Sequence, residues 1–386
     1  MEFKTLNRKN TNALKWDQAI KESESDDTLA FSVADSDYET APVIKEALMN
    51  RIDHGAFGYS GLGEDYYDII INYVKNQYGA SINKSWIVPG NKILTSIIYL
   101  METLSYLDDE VVIQTPVYHM FKHIIETNER TVIENPLINT NGFYTMDFEH
   151  LEKVFKQGAK IFLFCNPHNP VGRVWNEKEL DQVVTLCKKY DVILISDEIH
   201  ADIIIGKQPF RSLMHYFDRY ENIYVTIAPS KTFNIAGLKI SNTISNNLKG
   251  LLALRKTFDK HLIHTPNLLA VTALKAAYTK GIPWLEAQNK HILDNYTYAK
   301  TFILKHFPKI LISPLEGTYL MWLDLNCFNH AGNALHNLFL SHGLVLANGI
   351  KFGQNANGFM RLNLACSKEQ LINGLNRFKE ALDTIT

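Results

Sequence analysis

Asn222-Ile-Tyr-Val-Thr-Ile-Ala228-Pro229-Ser230-Lys231-Thr232-Phe233-Asn234-Ile-Ala-Gly237-Leu-Lys239 reads as a short buried strand, stopped by Pro229, with a lysine on the loop just beyond it. A Schiff-base lysine needs such a place: a rigid support, a depressed pKa and reach to a carbonyl carbon. Taken alone the motif says little, because a loop lysine is ordinarily just solvated. Two further stretches give it company.

The first is Cys165-Asn166-Pro-His-Asn169-Pro170-Val-Gly172, which follows the apolar run Lys160 to Phe164. The second is Asp191-Val-Ile-Leu-Ile-Ser-Asp197-Glu198-Ile199-His200, a strand ending in acid. Three strands thus end in an asparagine, an aspartate and a lysine, and open α/β sheets bind ligands at such carboxyl ends. Between the first two, Asn176 with Glu179 three residues on forms a capping-box pattern that starts a helix running to Tyr190. Strand, helix, strand makes a βαβ unit and so a parallel sheet. The pair Asn169-Pro170 is a candidate cis peptide.

In this order the three motifs resemble those of fold-type I pyridoxal-phosphate (PLP) enzymes of the aminotransferase class I/II superfamily, and the resemblance runs over nearly the whole chain. It implies an α/β fold with a mostly parallel seven-stranded sheet flanked by helices, plus a smaller α/β C-terminal domain. The expected division is an N-terminal arm at 1–45, a large PLP-binding domain at 46–283 and a small domain at 284–386. Lys231 is then the catalytic amine, beside Ser230. Asp197 faces the pyridine nitrogen, keeping it protonated so that the ring draws electrons. Asn169 donates its amide to the cofactor's phenolate oxygen. His200 sits behind Asp197 as a hydrogen-bond partner.

Other parts of the chain join this expectation. Trp86-Ile-Val-Pro-Gly90-Asn91-Lys92 leads from a strand through a glycine into a helix, a natural anion site because free N–H groups and the helix dipole favour phosphate. The resemblance puts the PLP phosphate there, with Lys239 adding a cation. Pro116-Val-Tyr118 breaks another strand, and the matching tyrosine stacks on the pyridine ring. Tyr59, in Phe57-Gly58-Tyr59, matches a residue that reaches the phosphate from the partner subunit of a homodimer whose active sites lie at the interface. Arg361, in Phe-Met-Arg361-Leu-Asn-Leu, lies in an apolar strand where burial is costly unless it meets a carboxylate. The α-carboxylate of an amino-acid substrate satisfies its bidentate fork. Tyr319 reads as core.

Leu29-Ala-Phe-Ser-Val-Ala34-Asp35-Ser-Asp37-Tyr38 resembles the "W-V-A-D-M-D-F" signature of the cystathionine β-lyase/C–S lyase branch. It implicates Ala34 and Asp35 in substrate binding, together with Asn169 and Arg361. Ser32, Ser36 and Tyr38 stand where the branch has Trp, Met and Phe. That branch eliminates a thiol from L-cystathionine or cysteine conjugates, leaving pyruvate and ammonia. The residues alone leave open an aminotransferase, or a regulatory protein that binds a transcription factor on the same scaffold.

Composition narrows the rest. The 386 residues are 46% hydrophobic with a formal net charge of −2, enough for a large core and without a field that favours nucleic acid or a membrane surface. Cys165, Cys187, Cys327 and Cys366 are widely spaced, as in reduced cytosolic chains. No signal peptide, membrane-spanning run or metal-ligand cluster is evident, so a cytoplasmic enzyme without a metal is expected.

Overall fold

The computed structural model describes residues 2–263 and 265–386. Its main sheet has seven strands in the spatial order Ile87–Gly90, Ser241–Ile244, Ile223–Ile227, Ile193–Asp197, Ile161–Cys165, Glu110–Ile113, Thr131–Glu134. Every pairing from Ile223–Ile227 outward to Thr131–Glu134 is parallel. Only Ser241–Ile244 is antiparallel to both its neighbours. Ile87–Gly90 therefore runs in the same sense as the parallel set, and six carboxyl ends open on one edge.

The central strands are near-continuous apolar runs because both faces are covered, as parallel sheets require. Alternation sends successive side chains to opposite faces. Phe162, Phe164, Leu194 and Val225 join one hydrophobic cluster with Leu180, Val183 and Val184 of the helix Glu177–Tyr190. Ile161, Leu163, Ile193 and Ile195 join the other, with Ile97 and Leu100 of Ile93–Leu104 and Leu251 and Leu254 of Leu248–Lys260. Each fully buried Leu, Ile or Phe contributes about 1.5–3 kcal/mol. The capping box is present: Asn176 accepts from the Glu179 N–H, and the Glu179 carboxylate accepts from the Asn176 N–H.

The 25-residue helix Ile282–His306 leads to a second sheet of four strands, in the order Leu311–Ile312, Leu320–Asp324, Phe359–Asn363, Ala347–Asn348. The N-terminal segment returns to this C-terminal part, where Leu29–Ala30 pairs parallel with Leu344–Val345. The segment before it contains a helix, Leu14–Ser23, that its polar composition hides. That helix turns inward only Lys15, Trp16 and Ala19, too little apolar surface to give a periodic signal. Lys15 is fully buried, its Nζ 2.7 Å from Oδ2 of the equally buried Asp37. Trp16 Nε1 (2.8 Å) and Gln370 Nε2 (2.8 Å) donate to the same carboxylate. Removing one member of a buried pair strands the other charge. Lys15→Met is therefore expected to cost about 3 kcal/mol and to lower the thermal unfolding midpoint; an unchanged midpoint refutes the arrangement.

Candidate active site

The carboxyl edge of the seven-stranded sheet gathers the residues singled out from the sequence. Asp197 is the last residue of its strand; Asn169 and Lys231 follow Cys165 and Ile227 on the two strands either side. Tyr118 lies beyond Ile113, and Gly90 ends its own strand. Register between the three central strands pairs Cys165 with Asp197 and Asp197 with Thr226, so the three loops start side by side.

A strap formed by Ser32 to Asp35 crosses this edge and ties the two sheets together through its carbonyl groups. Lys231 Nζ donates to Ala34 O at 2.5 Å, and the Tyr319 hydroxyl donates to the same oxygen at 2.9 Å. Asn363 Nδ2 donates to the carbonyls of Val33 and Asp35, both at 2.7 Å. Arg361 reaches Ser32 O at 2.7 Å and Asn169 Oδ1 at 2.9 Å. With Oδ1 so engaged, the amide N–H₂ of Asn169 is turned away from Arg361, free for the donor role expected of it. The strap is held from outside as well: Arg8 donates to Asp35 Oδ2 (2.8 Å) and Ser36 O (2.9 Å), and Lys15 to Asp35 O (3.2 Å).

Burial sets the electrostatics. The Asp197 carboxyl is pushed up to about 7, chiefly because burial disfavours its charge. Only the Ile199 N–H (3.0 Å) and the positive charge of Lys231 work against that. Burial lowers Lys231; Asp35 and Asp197 oppose that shift, while Arg361 adds to it. The same desolvation brings Arg361 down to about 10. Its guanidinium lies 4.7 Å from the Phe352 ring centroid, and its Nε is buried without a hydrogen-bond partner. The carboxylate expected against Arg361 is not supplied by its hydrogen-bond partners in this chain, which are an amide oxygen and a carbonyl. Tyr118 is half-buried and feels the charges of both Asp197 and Arg361. His200 is buried and held down to about 3, with an unpartnered Nδ1 and its ring edge-on to Tyr319 at 5.9 Å.

Glu198, next to Asp197, faces elsewhere. It accepts from Ser212 Oγ (2.6 Å) and the Leu213 N–H (2.9 Å), a structural anchor. At the Gly90 end, an added Cβ would stand 2.6 Å from Ser96 Oγ and 3.2 Å from Ser241 Oγ, so a larger residue would crowd these two hydroxyls. Asn91 and Lys92 follow, and Lys92 caps Ile93–Leu104 with no side-chain acceptor on its N–H groups. Ser230 is buried beside Lys231. The strand Ser241–Ile244 begins two residues after Lys239, which itself adopts φ +60° after the turn Ala236–Leu238. Since Ser241 pairs with Gly90, Lys239 remains close to that loop.

Asp35 gives its carboxylate to Arg8, so it is the carbonyls of this segment that meet Lys231 and Arg361. Tyr319 is core, as expected, yet its hydroxyl meets Lys231 on Ala34 O, a role that no local motif announces. Tyr59 stands fully exposed beside Phe57, on the wall of an open cleft of about 590 Å³ bounded also by Leu262 and Thr265 to Leu269. Among the described residues no cluster of metal-ligating side chains occurs, and no helix is long and apolar enough to cross a membrane.

The model of the family described as aminotransferase class I and II matches residues 26–378. The chain is 36% identical over 381 residues to cystathionine beta-lyase PatB of Bacillus subtilis (strain 168), covering 97% of this chain and 98% of that protein. To protein MalY of Escherichia coli (strain K12) it is 34% identical over 376 residues, 96% of each. The solved structure of cystalysin from Treponema denticola, described as containing a pyridoxal 5'-phosphate cofactor, superposes with a TM-score of 0.97 at 31% identity, covering 100% of this chain and 99% of that one.

Proposed function

This chain belongs to the aminotransferase class I and II family, and on that footing we propose how its residues divide the work of a carbon–sulfur lyase. It is a PLP-dependent β-lyase of the cystathionine β-lyase type. The overall reaction takes an S-substituted L-cysteine such as L-cystathionine and one water. The Cα–H and Cβ–S bonds break, sulfur departs with the bonding pair as a thiol, and pyruvate and ammonia remain. The observation that carries the reading within this chain is that the buried Lys231 feels the charges of both Asp197 and Arg361, while Arg361 donates to Asn169 Oδ1 beside them.

The residues fit the cofactor. A buried Asp197 with one N–H bond suits a cationic ring nitrogen, and the helix start after Gly90, whose N–H groups have no side-chain acceptor, suits a phosphate. When bound, PLP supplies a carbonyl carbon for amines and an electron-poor ring for the electrons left at Cα. Lys231 would hold the group through its amine and would serve as the base for the Cα proton. Asp197 holds the proton on the ring nitrogen, and Asn169 donates to the ring oxygen. Tyr118 would pack against the ring, with His200 next to Asp197. Gly90, Asn91, Lys92, Ser230 and Lys239 hold the phosphate. Arg361 orients the α-carboxylate, with the strap at Ala34 and Asp35 closing that side. Tyr59, turned wholly outward, serves the phosphate site of a second copy in a homodimer. The cytoplasm suits its four free cysteines.

Incubating the PLP-loaded protein with L-cystathionine is expected to yield thiol, pyruvate and ammonia in equal amounts. The reading is wrong if none appears while an added 2-oxo acid becomes aminated, the outcome that an aminotransferase would give.

A further inference from the structure

Next to Arg361 lies a small cleft of about 70 Å³, lined in part by Thr115, Tyr118, His119, Lys122, Glu134 and Lys351. It adjoins the active site. Tyr118 belongs to both, and the Phe352 ring that carries Arg361 at 4.7 Å meets the His119 ring at 6.0 Å. One wall follows strands of the seven-stranded sheet and the other is the turn Gly349–Phe352; they are joined by the Val117 N–H to Phe352 O bond (2.9 Å) and by Asn355 Nδ2 to Thr115 O (3.2 Å). The cleft is therefore a built feature of the fold, fixed on both sides.

Its charges are unequally spent. Glu134 accepts from Thr115 Oγ1 (3.0 Å) and lies 3.7 Å from Lys122, which is also 3.9 Å from Glu126. Lys351, exposed at the opposite rim, has no carboxylate partner among the described residues. His119 is exposed at the rim, yet partial desolvation of its ring and the charges of Arg361 and Lys351 lower its pKa and keep it neutral at ordinary pH. The cleft thus offers one unspent cation and a neutral imidazole beyond the place where Arg361 takes the α-carboxylate.

Resting on the lyase reading, we infer that this cleft is the subsite for the leaving half of the substrate, and that it selects S-substituents ending in a carboxylate through Lys351 and His119. A thioether carrying such a group spans from Arg361 past Phe352 to Lys351, while an alkyl thioether of the same size leaves Lys351 without a partner. Partly exposed ion pairs contribute modestly, so the preference is expected to be several-fold and to weaken as salt screens it.

The test compares S-carboxyethyl-L-cysteine with its uncharged isostere S-isopentyl-L-cysteine on the PLP-loaded enzyme. The native protein is expected to favour the carboxylate, and Lys351→Met to reduce the ratio of the two kcat/KM values about fivefold. Lys351→Glu reduces it further, and raised salt shrinks the native ratio. An unchanged ratio in both variants overturns the subsite. Should neither thioether release thiol, it is the lyase reading that fails. The subsite is then decided by binding, read from the change each thioether makes in the cofactor's visible absorbance. A native affinity ratio that both variants leave unmoved refutes it by that route as well.

Discussion

Lys231→Ala lowers the turnover of L-cystathionine by roughly a thousandfold or more, the scale lost when a positioned proton carrier is removed, and the loaded protein loses the visible absorbance of its lysine-bound cofactor. The size of the effect follows from the double duty of one amine. It must be unprotonated to attack a carbon and must later accept a proton, so its pKa has to lie below that of a solvated lysine. Burial provides that lowering, with Asp35 and Asp197 limiting it. Lys231→Arg separates charge from chemistry: the guanidinium keeps the cation beside Ala34 O but cannot shed a proton. Arg is expected to rescue nothing. If Arg restores turnover, Lys231 acts as a charge alone and the assignment falls.

The features legible in the sequence were those written in one stretch. The Asp197 strand, its apolar neighbours and the Asn176 capping box announce themselves by local pattern, and the structure keeps them within a residue or two. Arg361 stood out because a charge inside an apolar strand demands a partner. What the sequence hides is whatever depends on long-range meetings. Tyr319 and Lys231 are far apart in the chain, yet they share one carbonyl oxygen. The helix Leu14–Ser23 is amphipathic through a tryptophan and a buried lysine, and that lysine counts as solvated until Asp37 is brought to it. The partner of Asp35 is hidden in the same way, since nothing around Arg8 in the sequence announces that it takes this carboxylate. Residue type identifies a chemistry; only the fold assigns its partner.

Asp197→Asn is expected to move activity and stability in opposite directions. The folded protein without cofactor holds this carboxyl at about 7 against an ordinary 3.8. Between those values the folded state binds more protons than the unfolded one, so stability falls as pH rises through that window. At pH 8 the native protein carries the full cost of a buried, poorly compensated carboxylate, on the order of a few kcal/mol. Asparagine keeps the acceptor for the Ile199 N–H and never ionises. The cofactor-free variant should therefore melt higher than the native protein at pH 8, with the gap closing as pH falls from about 7 to about 4. The loaded variant, unable to hold a proton on the ring nitrogen by charge, should lose about a hundredfold or more in kcat/KM. A buried acid that weakens the fold persists when function requires it, the usual exchange of stability for activity. Melting curves across pH for the cofactor-free pair decide the matter. A variant that melts lower at pH 8 means that Asp197 is a structural acid, and its part in the reaction must then be assigned elsewhere.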